Sequence, residues 1–311
     1  MVIDCKIFLK GILIMRKVKI ITDSCADLTG ELLEKYDIDY VKMSTVYEGV
    51  QSPALLTWSY EEAHALYNLI REGKRVTTAQ VTVEEFTNVF TKYLDMGMDI
   101  VYVACSIKQS GSVNTGRITA QKVLENYPDA KIICIDSLNS TIGEGLLAIE
   151  AAKMAAEGMG ADEITEKVMG MRNNVLEFFT VHSLDTLRRS GRVSASSAFF
   201  GNLLGVKPIL IADAVGNQAA LKKVKGRVPA IKECINLLKE NIIDAENQTV
   251  YLWHSDCDME EVREVEAMLR EAVPCKDVYI GLVGPIVGAS VGPSVIGFWA
   301  FGKEVTFVNE G

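Results

Sequence analysis

The chain has 311 residues, of which 49% are hydrophobic and 23% are charged, and its formal net charge is −9. The length corresponds to about two domains of roughly 150 residues each, and the apolar share is large enough for real cores, which excludes a disordered chain. The acidic balance argues against a dedicated nucleic-acid-binding protein, because such a protein needs a surplus of positive charge. We therefore expect no nucleic-acid partner.

The residue types that bind metals are few and scattered. The three histidines are His64, His182 and His254, and no two of the seven cysteines form a CxxC pair. This pattern predicts neither a histidine-rich metal centre nor a zinc ribbon. An odd number of cysteines without a good signal peptide fits reduced thiols, so we expect a cytoplasmic protein.

Two segments have to be weighed as targeting or membrane sequences. Residues 1–16 contain a short apolar stretch that Lys6 and Lys10 interrupt, and no small-residue cleavage site follows. We interpret them as an N-terminal extension ahead of a second start at Met15, with a secretory signal as the alternative. Residues 281–302 carry no charge, but their six glycines and two prolines would break the helix that a bilayer requires. We expect tight turns there and no integral membrane segment.

The first half of the chain alternates between strand and helix patterns. Short apolar runs predict strands, and apolar residues at helical spacing predict helices. The predicted strands are 18–22, 40–46, 100–106 and 131–136, and the predicted helices are 61–72, 83–95, 114–126 and 142–157. A further helix is expected after Ser24 and Asp27, whose spacing resembles a capping box. This alternation predicts a three-layer α/β domain, in which helices cover both faces of a parallel sheet.

The second half of the chain has a more mixed pattern. Helices are predicted near 162–174, 183–190, 228–241 and 258–272, and strands at 177–182, 206–212, 218–224, 248–254, 276–281 and 304–308. Residues 215–218 are typical of a hairpin turn, and an antiparallel pair indicates an α+β domain with a mixed sheet. We place the boundary near 158–162. The chain is then divided into an extension (1–16), a parallel-sheet α/β domain (17–160) and an α+β domain (161–311).

Four polar loops are candidates for a ligand site, because ligands of open parallel sheets bind beyond the carboxyl ends of the strands. They are residues 23–25, 77–80, 106–112 and 136–137. Their hydroxyls and the N–H groups at helix starts suit an anion, and Asp23 and Asp136 suit a metal, but the simpler interpretation is that they cap helices. The chain has no GxSxG elbow, P-loop or dinucleotide-binding glycine spacing, so we assign no catalytic residue and no metal site.

Positive charge is concentrated between residues 188 and 227, a stretch that we call the basic segment. Its basic residues are Arg188, Arg189, Arg192, Lys207, Lys222, Lys223, Lys225 and Arg227, and only Asp213 opposes them. On an acidic protein, such a segment predicts a docking face for a phosphate or for an acidic partner. The alternative is a solvated face without a partner.

Taken together, these motifs resemble the DegV family, which includes the fatty-acid-binding subunits of bacterial fatty acid kinase. The resemblance runs from Lys17 to Lys303. It rests on IITDSCADLT (20–29), TAQ (78–80), SIKQSGSVNTGRITA (106–120), LDTL (184–187), GRVS (191–194), VKPIL (206–210), KVKGR (223–227) and GPIVGASVGPSVIG (284–297). Each segment is short, but their shared order and spacing make the joint resemblance specific.

The resemblance implies two domains with a long-chain fatty acid buried between them, and no cofactor besides this ligand. The family's carboxyl-binding hydroxyls correspond to Thr78 and Ser110, with Gly111 beside them, and Ser290 stands where the family has a histidine. Serine donates a hydrogen bond but does not become cationic near neutral pH. Arg192 corresponds to an arginine that contacts the kinase subunit. The resemblance thus implies a lipid-binding protein that presents its ligand to a kinase and is not itself an enzyme.

The chemistry of such a ligand agrees with the apolar composition. Burying a methylene group stabilises a complex by about 0.8 kcal/mol, so a chain of about sixteen carbons supplies on the order of 12 kcal/mol before ordering costs. Three aromatic pairs, at 178–179, 199–200 and 298–299, fit either the lining of a pocket or an ordinary core. Two other functions stay open: an enzyme that acts on a small phosphorylated or keto compound, and a regulatory protein that binds another apolar ligand.

Overall fold

The structure, a computed structural model, describes residues 16–182, 185–194 and 205–309. Most of the predicted N-terminal extension, Leu184 and the aromatic pair at 199–200 lie outside the described residues. The strands are β1 (Val18–Asp23), β2 (Asp39–Val41), β3 (Ser44–Tyr47), β4 (Val50–Pro53), β5 (Thr77–Ala79), β6 (Asp99–Ala104), β7 (Ile132–Asp136), β8 (Val175–Thr180), β9 (Val193–Ser194), β10 (Val206–Ala212), β11 (Gln218–Lys225), β12 (Thr249–His254), β13 (Asp277–Leu282) and β14 (Ile296–Phe301). The α-helices are α1 (Gly30–Lys35), α2 (Tyr60–Arg71), α3 (Val83–Asp95), α4 (Ser112–Leu124), α5 (Thr141–Ala156), α6 (Ala161–Met171), α7 (Asp185–Ser190), α8 (Arg227–Asn241), α9 (Met259–Ala272) and α10 (Pro285–Val291).

Four strands form a parallel sheet in the order β2-β1-β6-β7. Every residue of β1 and β6 is buried, as central strands that are covered on both faces should be. Ile20 and Val101 share a core with α5 and α6, whereas their neighbours Ile21 and Tyr102 pack with α3 and α4 on the opposite face. The predicted three-layer α/β arrangement is therefore confirmed.

Seven strands form a mixed sheet in the order β13-β12-β14-β8-β10-β11-β9. Strands β10 and β11 pair antiparallel, as the hairpin pattern at residues 215–218 predicts. The residues of α8 and α9 share a core with one face of this sheet, and α5 contacts β8 and β14 from the other side. The predicted combination of helices with a mixed sheet is confirmed.

Helix α5 lies between the two sheets and sets how closely they approach. Twelve of its sixteen residues are buried, and it contacts β1 of the parallel sheet as well as β8 and β14 of the mixed sheet. Glycines permit this packing. A Cβ atom at Gly145 would lie 2.6 Å from the carbonyl oxygen of Ala26, and one at Gly143 would lie 3.2 Å from a ring atom of Trp299.

A small antiparallel sheet, in the order β4-β3-β5, carries the Thr78 segment. The single strand predicted at 40–46 is in fact two strands, β2 and β3. The break has a local cause, because the Met43 N–H donates to Ser24 Oγ at 3.0 Å and so leaves the parallel ladder. Strands β4 and β5 were not predicted.

The predicted capping box at Ser24 is wrong. Ser24 Oγ instead donates to the carbonyl oxygen of Ala54 at 2.7 Å, which ties the end of β1 to the loop after β4. The first helix begins later, at Gly30, and its N-cap is Thr29, whose hydroxyl accepts the Leu32 N–H at 3.3 Å.

The charge-free run at 281–302 contains the short helix α10 and the buried central strand β14. The strand predicted at 304–308 is not formed. The last strand is instead β14, which lies between β12 and β8 in the mixed sheet. In the part of the chain that the structure describes, no helix has the length and apolar composition that crossing a membrane requires.

The predicted domain boundary near residue 160 stays a prediction. Helix α6 follows that point but packs against β6 and β7 of the parallel sheet. Strand β8 is the first strand of the mixed sheet. These contacts favour a division after α6, near Asn174.

Candidate functional site

A cavity lies between the two sheets, with about 650 Å³ of empty space if the part open to solvent is included. Cys25 and Cys105, which follow the carboxyl ends of β1 and β6, form one wall. Phe179 of β8 and Trp299 of β14 form another. The cavity therefore lies at the edge of the parallel sheet where ligands of this class of sheet bind.

Three of the predicted carboxyl-binding residues, Thr78, Ser110 and Ser290, line this cavity, and all three are partly exposed. They come from β5, from the loop before α4 and from α10. Helix α10 packs against α2, α7 and β5, which brings Ser290 to the Thr78 strand. Three partly exposed hydroxyls from distant parts of the sequence thus line one cavity, and we call the part of the cavity that they line the mouth.

A chain of hydrogen bonds holds Ser110 in place. Its Oγ lies 3.0 Å from Ser112 Oγ and accepts the Ser112 N–H at 3.2 Å. Ser112 Oγ also accepts the Val81 N–H at 3.3 Å. Because Val81 directly follows the segment at 77–80, this chain ties two of the predicted polar loops to each other.

Gly111, the fourth predicted residue, does not line the cavity. It occupies the N-cap position of α4, and a Cβ atom there would lie 2.2 Å from Gln80 Oε1. The Gln80 amide donates from Nε2 to Thr115 Oγ1 at 3.0 Å. Glycine therefore permits the close approach of Gln80 to α4, and this approach positions the Ser110 loop against the Thr78 strand.

Arg192 lies exposed at the mouth. Its Nη1 donates to the carbonyl oxygen of Ser190 at 2.6 Å, and its Nε lies 3.5 Å from that of Gln109. An adjoining cleft has about 600 Å³ of empty space, including the part open to solvent. Four basic residues line this cleft, together with Thr78 and Ser290: Lys74, Arg75, Arg189 and Arg192. We call these four the basic mouth.

Other members of the basic segment have partners elsewhere. Arg227 forms a bidentate ion pair with Glu261 at 2.5 and 2.9 Å, and Lys222 forms a single ion pair with Glu233 Oε1. Lys74 and Arg75, which lie outside the segment, complete the basic mouth instead. Sequence reasoning missed these two because the distribution of charge along a chain does not show which loops meet.

The interior of the cavity carries polar groups that sequence reasoning also missed. Glu177 and Gln218 line it and are buried, and Gln218 Nε2 donates to Glu177 Oε1 at 2.9 Å. Burial raises the pKa of Glu177 to about 7, and the side chains of Gln218 and Trp299 oppose this shift. A signal was present, because Glu177 is a charged residue within the apolar strand sequence VLEFFT.

Two of the aromatic pairs divide between the faces of the mixed sheet. Phe179 and Trp299 line the cavity, and their rings stack with centroids 6.5 Å apart. Phe178 and Phe298 point to the opposite face and join the core with α8 and α9. In each pair, one residue thus lines the cavity and the other belongs to the ordinary core. This follows because successive side chains along a strand point to opposite faces of the sheet.

The predicted anion or metal ligand Asp23 is occupied by structural hydrogen bonds. Its carboxylate accepts the Cys25 N–H at 2.9 Å, the Cys105 N–H at 3.1 Å and the Tyr102 hydroxyl at 2.7 Å. These bonds fix the carboxyl ends of β1 and β6 beside the cavity. Asp23 therefore has a structural role, but the simpler interpretation that it caps a helix is wrong, because the first helix begins at Gly30 with Thr29 as its N-cap.

One cluster could offer ligand atoms to a metal. Cys25, Cys105 and Glu144 are buried, and their ligand atoms lie within 4.8 Å of one another. The contact with Cys105 and burial raise the pKa of the Cys25 thiol, and burial raises that of Glu144 well above its usual value. Both groups therefore keep their protons near neutral pH, and the expectation that the chain has no metal site stays a prediction.

Comparison with known sequences identifies the family. The profile of the DegV family, a family of uncharacterised proteins, matches residues 17–303. A DegV domain-containing protein of Clostridium perfringens is 34% identical over 288 residues, which cover 93% of this chain and 98% of that protein. Another, from Caldanaerobacter subterraneus, is 32% identical over 91% of this chain and 98% of that protein.

Solved structures agree with the sequence comparison. A DegV lipid binding protein of Thermotoga maritima matches with a TM-score of 0.80 at 29% identity, over 93% of this chain and 100% of that one. A second T. maritima protein, reported to reveal a fatty acid binding function, matches at 0.79 and 28% over the same shares. A stearic-acid-binding protein of Eubacterium ventriosum matches at 0.78 and 27%, over 92% of this chain and 98% of that one. The chain therefore belongs to the DegV family.

Proposed function

We propose that this protein binds a long-chain fatty acid in the cavity between its two sheets and presents the carboxyl group to a separate kinase subunit. The observation that carries the proposal is the polarity of the cavity, which has three hydroxyls at its mouth and mainly apolar walls behind them. The similar structures that are named for lipid or fatty acid binding support it.

The mouth offers hydrogen-bond donors to a carboxylate. Among the residues that the structure describes, neither Thr78 nor Ser290 uses its hydroxyl in a hydrogen bond. Both are therefore available to donate, and Ser110 adds a third hydroxyl, whose other partner is Ser112. Because all three are neutral, this part of the site would hold the carboxylate with little dependence on pH near neutrality.

The acyl chain would occupy the walls behind the mouth. Phe179, Leu187, Ile286, Val291 and Val295 supply apolar surface there. Each buried methylene group contributes about 0.8 kcal/mol, so a long chain would provide most of the affinity. The few hydroxyls at one end would then set the direction in which the chain enters.

The basic mouth suits presentation of the carboxyl group to an anionic donor. Lys74, Arg75, Arg189 and Arg192 lie beside the proposed carboxylate position. A kinase that transfers a phosphoryl group from ATP develops negative charge at this point, which cationic side chains stabilise. We assign to Arg192 the contact with the kinase subunit. The chain would act as a substrate-presenting protein of the cytoplasm and would not itself be an enzyme.

Identifying the bound ligand tests the first part of the proposal. The protein is purified from bacterial cells, its small molecules are extracted, and they are identified by mass spectrometry. The delipidated protein is then titrated with palmitate and with oleate. We expect a long-chain fatty acid in the extract and saturable uptake of at least one of the two acids. Absence of lipid together with no uptake of either acid would overturn the proposal.

Acyl phosphate formation tests the second part. Loaded protein is incubated with a fatty acid kinase catalytic subunit and ATP, and the formation of acyl phosphate is followed. The affinity for that subunit is then measured for the wild type, for Arg192→Ala and for Lys222→Ala. Lys222 is also exposed and basic but pairs with Glu233 and lines neither the cavity nor the cleft. We expect Arg192→Ala to weaken the affinity for the kinase subunit and Lys222→Ala to leave it unchanged. Equal affinities for all three proteins would refute the assignment of Arg192.

A further inference from the structure

Three sulfur-containing side chains converge in one wall of the cavity. Cys25, Met43 and Cys105 all line it, and their exposed fractions are only 4%, 3% and 1%. The Cys25 thiol donates to Met43 Sδ at 3.6 Å, and the sulfur atoms of Cys25 and Cys105 lie within 4.8 Å of each other. Because the two thiols are buried beside the cavity, a compound that reacts with them has to enter it.

One carboxylate fixes the backbones of the two cysteines. Asp23 Oδ1 accepts the Cys25 N–H at 2.9 Å, and Asp23 Oδ2 accepts the Cys105 N–H at 3.1 Å. Asp23 is itself buried and also accepts the Tyr102 hydroxyl at 2.7 Å. The carboxyl ends of β1 and β6 thus hold the two thiols next to each other. Such fixed proximity is what the formation of a disulfide requires.

The contact between the two thiols makes them chemically unequal. It lowers the pKa of Cys105, although burial and the nearby Asp23 carboxyl leave that pKa above its ordinary value. The same contact, together with burial, raises the pKa of Cys25 well above its ordinary value. Cys105 is therefore the thiol that ionises first, but only a small fraction of it is ionised near neutral pH. Since the thiolate is the nucleophile, its attack on a dilute reagent in solution would be slow.

The cavity compensates for slow attack if the reagent is part of the ligand. A group that is held beside a thiol reacts at an effective concentration far above its concentration in solution. The proposed ligand is an acyl chain, and an unsaturated acyl chain that reacts with O2 acquires a hydroperoxide group. Two neighbouring thiols can reduce such a group and become a disulfide. A small peroxide in water has no apolar chain that would hold it in the cavity.

We propose that Cys105 and Cys25 are a modification site for a peroxidised ligand: they reduce the hydroperoxide group of a bound fatty acid and become a disulfide. The inference rests on the proposed fatty acid binding and goes beyond it, because it adds a chemical reaction to the wall of the cavity. The reaction consumes both thiols, so each protein molecule reduces one hydroperoxide until a dithiol restores the pair.

The reaction balances in atoms and electrons. Cys105 Sγ attacks the terminal oxygen of the hydroperoxide, so an S–O bond forms and the O–O bond breaks. The thiol proton moves to the leaving alkoxide, which becomes the alcohol of a hydroxy fatty acid. Cys25 Sγ then attacks the sulfenic sulfur of Cys105, an S–S bond forms, and the departing hydroxide takes the Cys25 proton as water. The peroxide gains the two electrons that the two thiols lose.

Oxidation of the delipidated, reduced protein tests the proposal without any variant. The protein is incubated with linoleate hydroperoxide or with the same concentration of hydrogen peroxide. Mass spectrometry of the extract measures the hydroxy acid, and that of the unreduced peptides measures the disulfide between Cys25 and Cys105. We expect one hydroxy acid per disulfide, formed at least about tenfold faster with the lipid hydroperoxide than with hydrogen peroxide. Excess palmitate should slow the reaction by occupying the cavity, and dithiothreitol should restore both thiols.

Serine variants test the residue assignment. Cys105→Ser should form no disulfide and no hydroxy acid beyond a sample without protein, and Cys25→Ser should stop at a sulfenic acid on Cys105. Cys275→Ser is the matched control, because Cys275 is partly exposed and does not line the cavity. It should react like the wild type. Binding of palmitate by each variant shows that its cavity is folded.

The outcomes separate failure of this inference from failure of the proposed function. If linoleate hydroperoxide displaces palmitate but the thiols stay reduced, the inference is overturned, while fatty acid binding stands. An equal rate with hydrogen peroxide, or an unchanged rate in Cys105→Ser, overturns it as well. If neither linoleate hydroperoxide nor palmitate binds, the proposed function fails and the inference fails with it.

Discussion

The mouth and the interior of the cavity both present polar side chains, but they differ in exposure. Thr78 and Ser290 at the mouth are partly exposed beside the charged Arg192, whereas Glu177 and Gln218 in the interior are buried. Water can satisfy the hydroxyls of the mouth when no ligand is bound. These hydroxyls can therefore set the direction in which a ligand binds at little cost to the stability of the protein. The buried polar side chains of the interior are out of reach of bulk water, so they depend on protonation or on a ligand to reduce the cost of their burial. Changes to these side chains therefore affect both the stability of the protein and its selectivity for ligands.

The two regions also differ in the elements that carry them. The interior is built on β8 and β14, which are fully paired neighbours in the centre of the mixed sheet. The mouth is assembled from a loop, the short strand β5 and the short helices α7 and α10. Side chains on a paired sheet are positioned more rigidly than those on loops and short helices. This contrast predicts that changes in the interior alter stability most, and that changes at the mouth alter binding of the carboxyl group with little effect on stability.

The largest effect is expected from the apolar wall of the interior. Phe179→Ala and Phe178→Ala should each lower the free energy of unfolding by about 3–5 kcal/mol, because both rings are buried. Only Phe179 lines the cavity, so only its variant should shift the preferred chain length of bound fatty acids toward longer or bulkier chains. Denaturant unfolding and titration with acids of increasing length measure the two effects. If Phe178→Ala also shifts the preferred chain length, the two faces of the sheet do not separate residues that line the cavity from residues of the core.

A smaller effect concerns the pH dependence of stability through Glu177. Its pKa in the folded protein is about 7, against 4.5 for the ordinary group. Between these pH values the native state keeps a proton that the unfolded state has lost, so stability falls as pH rises through this window. The raised pKa corresponds to a loss of about 3 kcal/mol in the free energy of unfolding as pH rises through this window. The Glu177→Gln variant should not show this loss.

The measurement for Glu177 is the difference in unfolding free energy between wild type and Glu177→Gln. This difference should change between pH 4.5 and 7 and stay flat on either side. Asp27 and Glu144 are also buried with raised pKa values, but their contributions are present in both proteins and cancel. A difference that does not vary with pH would show that Glu177 has the same pKa in the folded and the unfolded protein, and the contrast between mouth and interior would then lose its physical basis.

The smallest effect is expected at the mouth. Ser110→Ala should weaken palmitate binding about tenfold, through loss of a hydrogen bond to a charged group, and should barely affect hexadecanol. Arg192→Ala is the comparison variant: its guanidinium is exposed, so we expect less than about a threefold effect on palmitate binding. Isothermal titration with both ligands checks this. Equal losses for acid and alcohol in Ser110→Ala would show that Ser110 does not bind the carboxyl group.

The elements that the sequence predicts well are those whose pattern lies in neighbouring residues. The predicted helix at 83–95 matches α3, and the hairpin at 215–218 joins the two predicted strands. Strand β14 was missed because it lies in a run rich in glycine and proline. Tertiary packing explains the glycine at position 297, because a Cβ atom there would lie 2.6 Å from Phe179 Cβ on the adjacent strand. Composition cannot distinguish such a glycine from one in a turn.

By itself, the sequence determined the alternation of strands and helices, the polar loops around Thr78 and Ser110, and the motifs of the DegV family. The tertiary structure decided which side chains meet. Packing of α10 against β5 brought Ser290 to the mouth, and the register of β8 with β14 placed Trp299 opposite Glu177, 122 positions apart in the numbering. The physical reason is that local patterns reflect the propensities of adjacent residues, whereas contacts between distant residues depend on strand register and helix packing.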